Sequence, residues 1–274
     1  MILSGFGDEI SSDFAEQLGV LNDEGIRYIE LRKAWDTNVL DLTQDQIDQV
    51  EHLLHAYGIQ VSQLGSPIGK IAITDPFEPH LVSFDRALDV AERLGTQNIR
   101  VFSFRLPTGE DPSLYRSEVM RRMEVLVTKA EARGIRLNHE NEKRIYGDTV
   151  ERLLDLFHTL DSPAFGLTFD PANFVQVGVE PWKAAYPALR PYIQYMHMKD
   201  AVFATRRPCP VGEGEAGVED ILRELARSGY DGFLSIEPHL KKTEPYASMP
   251  QPERFRAASQ ALKHVLQRLD IAWA

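Results

Sequence analysis

The sequence predicts a closed parallel (β/α)8 barrel, on three observations. Amphipathic helical stretches alternate with short β-rich runs, and eight such runs are counted with no break in composition between them. Five of the runs are preceded directly by a glycine at the end of a helical stretch, the pattern of a helix C-cap feeding a strand. The ionisable residues collect at the C-terminal ends of the fifth to eighth runs, which a barrel brings to one rim.

In chain order, LSGF opens the barrel and Gly25 leads into IRYIEL. Thr43 and Gln46 then form a capping box at the start of a helix whose apolar stripe is Ile47, Val50, Leu53, Leu54 and Tyr57. Gly58 precedes IQVSQL, Gly95 precedes TQNIRVFSF, and Gly134 precedes IRLNHE. Val150, Leu153, Leu154, Phe157 and Leu160 mark the next helix, followed by FGLTFD, then IQYMHM, and finally Gly229 before YDGFLSIE. The long irregular stretches, 65–79, 200–217 and 241–252, all follow strands and so fall on the rim where barrels place active sites. An open doubly wound sheet is the structural alternative.

A length of 274 residues fits one barrel domain spanning 1–274. The formal net charge of −11, from 41 acidic and 30 basic residues, opposes nucleic acid and anionic membranes and leaves a small molecule as the expected partner, with room for a homo-oligomer. Cys209, the single cysteine, stands between Pro208 and Pro210, so neither an intrachain disulfide nor a cysteine-rich metal cluster is expected. The N-terminal MILSGFGDEI resembles no signal, and no run approaches membrane-spanning length, so the expected location is the cytoplasm.

Side chains alternate along a strand, which groups Asn138, Glu140 and Glu142, then Thr168 with Asp170, Tyr195 with His197 and Lys199, and Ser235 with Glu237 and His239. Taken singly, a Glu or His at a strand end is usually a hydrogen-bonded rim residue. Glu140, Asp170, His197 and Glu237 on consecutive strands are different, because three carboxylates converging in a barrel mouth repel one another unless a cation or protons compensate. One imidazole with three carboxylates suits Mn2+ best, with Mg2+, Co2+ or Zn2+ as alternatives. Glu140 and Glu237 are the expected acid and base. Lys199, Asn173, Arg105 and Glu30 are expected substrate-binding groups, with the bland alternatives that Lys199 pairs with Asp200 or Glu142 and that Glu30 pairs with Arg105. His239 is expected to hydrogen bond at the rim, and Arg206 and Arg207 to be solvated rather than to meet a phosphate.

The segments HENE, TFDPANF, YMHMKDA, PVGEGE and GYDGFLSIEPHL resemble the sugar phosphate isomerase/epimerase family, the xylose isomerase-like barrels that include inosose dehydratases and endonuclease IV. The resemblance covers nearly the whole chain and is densest over 137–240. It implies that Glu140, Asp170, His197 and Glu237 hold one catalytic metal, and that the two glutamates move protons as in the epimerase members. Many epimerases have a histidine where this chain has Asn173, which weighs against ketohexose epimerisation. The implied activity is isomerisation or epimerisation of a keto sugar or related polyhydroxy carbonyl compound, with dehydration as the alternative. DNA repair of the endonuclease IV kind is disfavoured by the missing extra ligands and the acidic charge.

Overall fold

All eight β-runs pair edge to edge in the computed structural model, which describes residues Met1–Ala274. They are β1 (Ile2–Phe6), β2 (Tyr28–Leu31), β3 (Gln60–Leu64), β4 (Asn98–Val101), β5 (Arg136–Glu140), β6 (Phe165–Phe169), β7 (Ile193–Met198) and β8 (Phe233–Ile236). Each strand is parallel to its neighbours, and β1 pairs with both β2 and β8, so the sheet closes and the open alternative is excluded.

The five junction glycines, Gly25, Gly58, Gly95, Gly134 and Gly229, all have φ between 65° and 76°, the left-handed conformation that ends a helix and turns the chain back into the barrel. The capping box also forms: Thr43 accepts from the Gln46 amide, and the Gln46 side chain accepts from the Thr43 amide, at the start of α2 (Gln44–Tyr57). The helices sheathe the strands through apolar stripes. In α8 (Val218–Arg227) the buried residues Val218, Ile221, Leu222 and Leu225 follow the 3.6-residue period, and each full burial contributes about 1.5–3 kcal/mol.

The lumen of the barrel is hydrogen-bonded. Ser4, Ser62 and Tyr195 meet through their hydroxyls at 2.7 and 2.9 Å. Above them Asn138 donates to Gln63 at 2.7 Å, and Gln63 donates to Glu30 at 3.1 Å. The register of β2 against β3 slips by one residue between Ile29 and Glu30, and at this bulge both Ser62 and Gln63 reach interior partners. On the rim, β7 is followed by a hairpin, Asp200–Ala201 with Pro208–Cys209. The Asp200 carboxylate accepts from the amides of Ala201, Gly212, Gly214 and Ala216, gathering that loop around one side chain. No helix is long and apolar enough to cross a membrane.

Candidate metal centre

Strand alternation brings Glu140 at the end of β5, Asp170 after β6, His197 within β7 and Glu237 after β8 to one point at the C-terminal mouth. All four are buried, with 0–2% exposure. The His197 Nδ1 lies 3.5 Å from Glu140 Oε1, 3.7 Å from Glu237 Oε2 and 3.9 Å from Asp170 Oδ2. These separations are long for hydrogen bonds, which centre near 2.9 Å. They match ligand atoms around a shared cation, which stand about 3–4.4 Å apart when each is about 2.2 Å from the ion. One atom from each residue falls within 4.8 Å of all the others; Nδ1 has no hydrogen-bond partner, and Asp170 Oδ2 meets only the Lys199 ammonium. The residues present therefore fit a divalent cation.

Each of the four is aimed by a neighbour. The other imidazole nitrogen, Nε2, faces Glu30 at 3.1 Å; a carboxylate there fixes the proton on Nε2 and leaves Nδ1 free to bind a cation. Glu30 itself hangs from Gln63 and Asn138, so a polar chain runs across the lumen into the ligand. Asp170 is the N-cap of α6 (Pro171–Val177): its Oδ1 accepts from the Asn173 amide, which orients Oδ2 into the site. Asn141 clasps the Asp170 backbone from both sides, accepting from its N–H at 2.8 Å and donating to its carbonyl at 2.9 Å. Asn173 donates to Glu140 Oε1 at 2.9 Å, and Arg100 reaches Glu140 Oε2 at 3.1 Å. Glu237 is held by Arg32 at 2.8 Å and Lys199 at 2.9 Å.

Burial raises carboxylate pKa values, and here it is contested. Burial raises that of Glu140, yet His197 and Arg100 outweigh it and hold the group below the usual carboxylate range. Glu237 is likewise held well down against burial, chiefly by Lys199 and then His239. Asp170 goes the other way: burial, reinforced by Glu140 and resisted by Lys199, pushes it up to about 6. Burial lowers the His197 pKa, but Glu30 and Glu140 overcome this and carry it to about 10. The cluster thus attracts positive charge, and a proton on Nδ1 competes with a metal ion for the same lone pair.

The family profile described as xylose isomerase-like TIM barrel matches residues 18–265. The chain belongs to that family. An uncharacterized protein of Methanocaldococcus jannaschii is 30% identical over 128 residues, a stretch that spans 41% of this chain and only 40% of that protein. Among solved structures, the IolI protein with a bound zinc atom superposes with a TM-score of 0.80 at 16% identity, covering 98% of this chain and 99% of that one. The probable 3-DHS dehydratase AsbF involved in petrobactin synthesis, from Bacillus anthracis, gives 0.79 at 18% identity, covering 96% and 99%. A D-tagatose 3-epimerase-like protein gives 0.76 at 19% identity, covering 98% of both chains. At these identities the structural likeness establishes the fold.

In this xylose isomerase-like barrel, two of the expected substrate-binding residues stand elsewhere. Arg105 is exposed in the rim, bridging to Ala72 and Ile145 through its backbone, because β4 stops at Val101 and Phe104 turns the chain at φ 65°. The cavity receives Arg100 instead, which sits opposite Asn138 in the register and so shares its inward face. Glu30 is fully buried behind His197, with no pairing to Arg105. Lys199 pairs with neither Asp200 nor Glu142; its ammonium lies between Asp170 at 2.7 Å and Glu237 at 2.9 Å. Asn173 lines the cavity while also holding Glu140. His239 stands at the rim, 3.4 Å from both Glu9 and Glu237. Arg206 donates to the Val175 carbonyl and stacks on Phe203, and Arg207 is exposed. Sequence reasoning missed Arg32, Arg100, Asn141 and Lys70. Only Arg100 carried a signal, its parity with Asn138 across adjacent strands.

Proposed function

We propose that this protein is a divalent-metal-dependent isomerase or epimerase that moves a proton on a small polyhydroxy carbonyl compound, with Mn2+ the best match to its ligands. The observation that carries this reading is the set of three buried carboxylates facing the free Nδ1 of His197. Glu140, Asp170, His197 and Glu237 would hold the ion. When bound, it supplies polarisation of a carbonyl and its adjacent hydroxyl, which lowers the barrier to deprotonating the neighbouring C–H. Glu140 and Glu237 stand at the two ends of the row β5-β6-β7-β8, so a substrate seated above the cluster would meet one carboxylate toward each side. Both are held ionised by cationic neighbours, as a general base requires. Removal of a proton by one and its return by the other inverts a centre, whereas return to the adjacent carbon isomerises. Lys199, Arg32 and Arg100 hold these carboxylates and keep their charge. The family fold and its IolI and epimerase-like neighbours are consistent with this reading.

Dehydration is the second reading, favoured by Lys199. Its ammonium, 2.9 Å from Glu237 Oε2, sets a cationic hydrogen-bond donor beside the base, where it can stabilise a departing hydroxyl. The AsbF neighbour is itself a probable dehydratase. Solvent deuterium incorporation across keto sugars, inososes and hydroxypyruvate, with added Mn2+, tests both readings together. Exchange without loss of water is the expected result; exchange coupled to an enone absorbance selects dehydration. Absence of exchange in every substrate with Mn2+, Mg2+, Co2+ and Zn2+ overturns the proton-transfer mechanism.

A further inference from the structure

The cavity above the four ligands, about 130 Å³, has no hydrophobic lining residue. Five cationic side chains, Arg32, Lys70, Arg100, Lys143 and Lys199, face it; Arg32 is paired with Asp8, Glu9 and Glu237, Arg100 with Glu140, and Lys199 with Asp170 and Glu237, which leaves Lys70 and Lys143 without a close carboxylate partner. Two of the three carboxylates that also line the cavity, Glu140 and Glu237, are the proposed metal ligands, and a bound ion would take up their charge. The third, Glu142, sits 3.4 Å from the Lys70 ammonium, beyond a tight ion pair. Lys143 has no carboxylate partner and donates only to the Gln176 side chain at 2.9 Å. Lys70 is braced over the Phe102 ring at 4.1 Å, and the Arg100 guanidinium lies over the same ring at 5.1 Å, so two cations share one aromatic ring. Burial and then the nearby Arg100 lower the Lys70 pKa, against Glu140, Glu142 and Glu237. A neutral polyol offers nothing to balance the charge of Lys70 and Lys143.

We infer that the substrate is an anion, a small polyhydroxy compound bearing a carboxylate, which Lys70 and Lys143 receive at the open end of the cavity while its hydroxylated carbons lie toward the four ligands. This rests on the metal-centre reading and adds the substrate class to it. Size favours a carboxylate over a sugar phosphate: the space above the ligands is small, and a planar carboxylate is the more compact of the two anions.

Calorimetry on the Mn2+-loaded protein tests the inference with erythronate, the uncharged four-carbon erythritol, and glycerol 3-phosphate. Erythronate is expected to bind at least about tenfold more tightly than erythritol, and the contrast is expected to shrink at least about threefold in Lys70→Ala or Lys143→Ala and to vanish in the double variant, with Mn2+ retention unchanged. Equal binding of erythronate and erythritol overturns the inference. So does a contrast that survives in the double variant, which would place the carboxylate on the ion alone, and so does tighter binding of glycerol 3-phosphate than of erythronate. Failure of the metal reading shows separately, as loss of Mn2+ from the wild-type protein on dialysis, and the lysine dependence is read on the same protein in either case.

Discussion

His139 and His197 are both fully buried, on opposite faces of the barrel wall, and their imidazoles have opposite protonation preferences. His139 faces outward from β5 into the layer beneath the helices, where it meets the Ser103 hydroxyl at 2.9 Å and the edge of Phe165. Burial there carries its pKa down to about 3 despite the opposing pull of Glu140. His197 faces inward among Glu30, Glu140, Asp170 and Glu237, and is carried up to about 10. Burial is common to both. What separates them is whether the surroundings supply negative charge, so the outer layer keeps a neutral ring as packing and the lumen makes a cation receptor from the same side chain.

The largest expected effect lies on the inward side. Glu237→Gln keeps an oxygen for the proposed ion and removes the proposed base, so substrate-proton exchange is expected to fall at least about 10²-fold and to stay low in saturating Mn2+. Asp170→Asn is expected to lose metal affinity instead and to regain much of its exchange in excess Mn2+. Equal rescue of the two variants would demote Glu237 to a ligand only and make Lys199 the next candidate for proton transfer.

Next comes the group that gives His197 its character. Glu30→Gln is expected to weaken Mn2+ binding about 10–100-fold while leaving the barrel folded, because the imidazole loses the carboxylate that fixes its tautomer. A metal titration followed by Mn2+ electron paramagnetic resonance reads this directly. Unchanged affinity would show that the carboxylates alone make the receptor.

The outward histidine predicts a pH effect of opposite sign. Its folded pKa, about 3, lies below the ordinary 6.5, so the unfolded chain binds the extra proton and stability falls as pH drops below 6.5. The loss continues until about pH 3 and reaches about 2 kcal/mol at pH 5. His139→Gln, which keeps a donor toward Ser103, is expected to flatten this slope in urea titrations at pH 5 and pH 7. An unchanged slope in the variant would assign the acid sensitivity to other groups.

The smallest effect is a control remote from both histidines. Thr43→Ala removes one half of the capping box on α2 and is expected to cost about 1 kcal/mol, with metal binding untouched. A thermal melt reads the stability loss, and a change in Mn2+ affinity in this variant would mean that metal binding cannot be read separately from global stability.

How much of this was legible follows from which rules are local. Glycine caps and strand alternation act within a few residues, so the eight strands and the convergence of Glu140, Asp170, His197 and Glu237 could be read from the sequence. The hold of Gln63 on Glu30 could not, because a one-residue slip between β2 and β3, which no pattern in YIEL or QVSQL announces, sets the two opposite each other. Arg105 was misplaced because the run RVFSF looks like continuous strand, whereas the chain leaves the sheet after Val101. Arg32 lies past the end of β2 and reaches Asp8, Glu9 and Glu237 by side-chain length, which alternation does not encode.

Lys199 bears on the order in which the protein is assembled. Small metallodomains whose ligands merely repel one another stay unfolded until the ion arrives. Here the chain brings its own ammonium to within 2.7 Å of Asp170 and 2.9 Å of Glu237, so the mutual repulsion of the carboxylates is already offset when the strands close. Folding then need not wait for a cation. If the proposed ion binds, the barrel can fold before it is loaded, and a chelator should strip the ion without collapsing the walls.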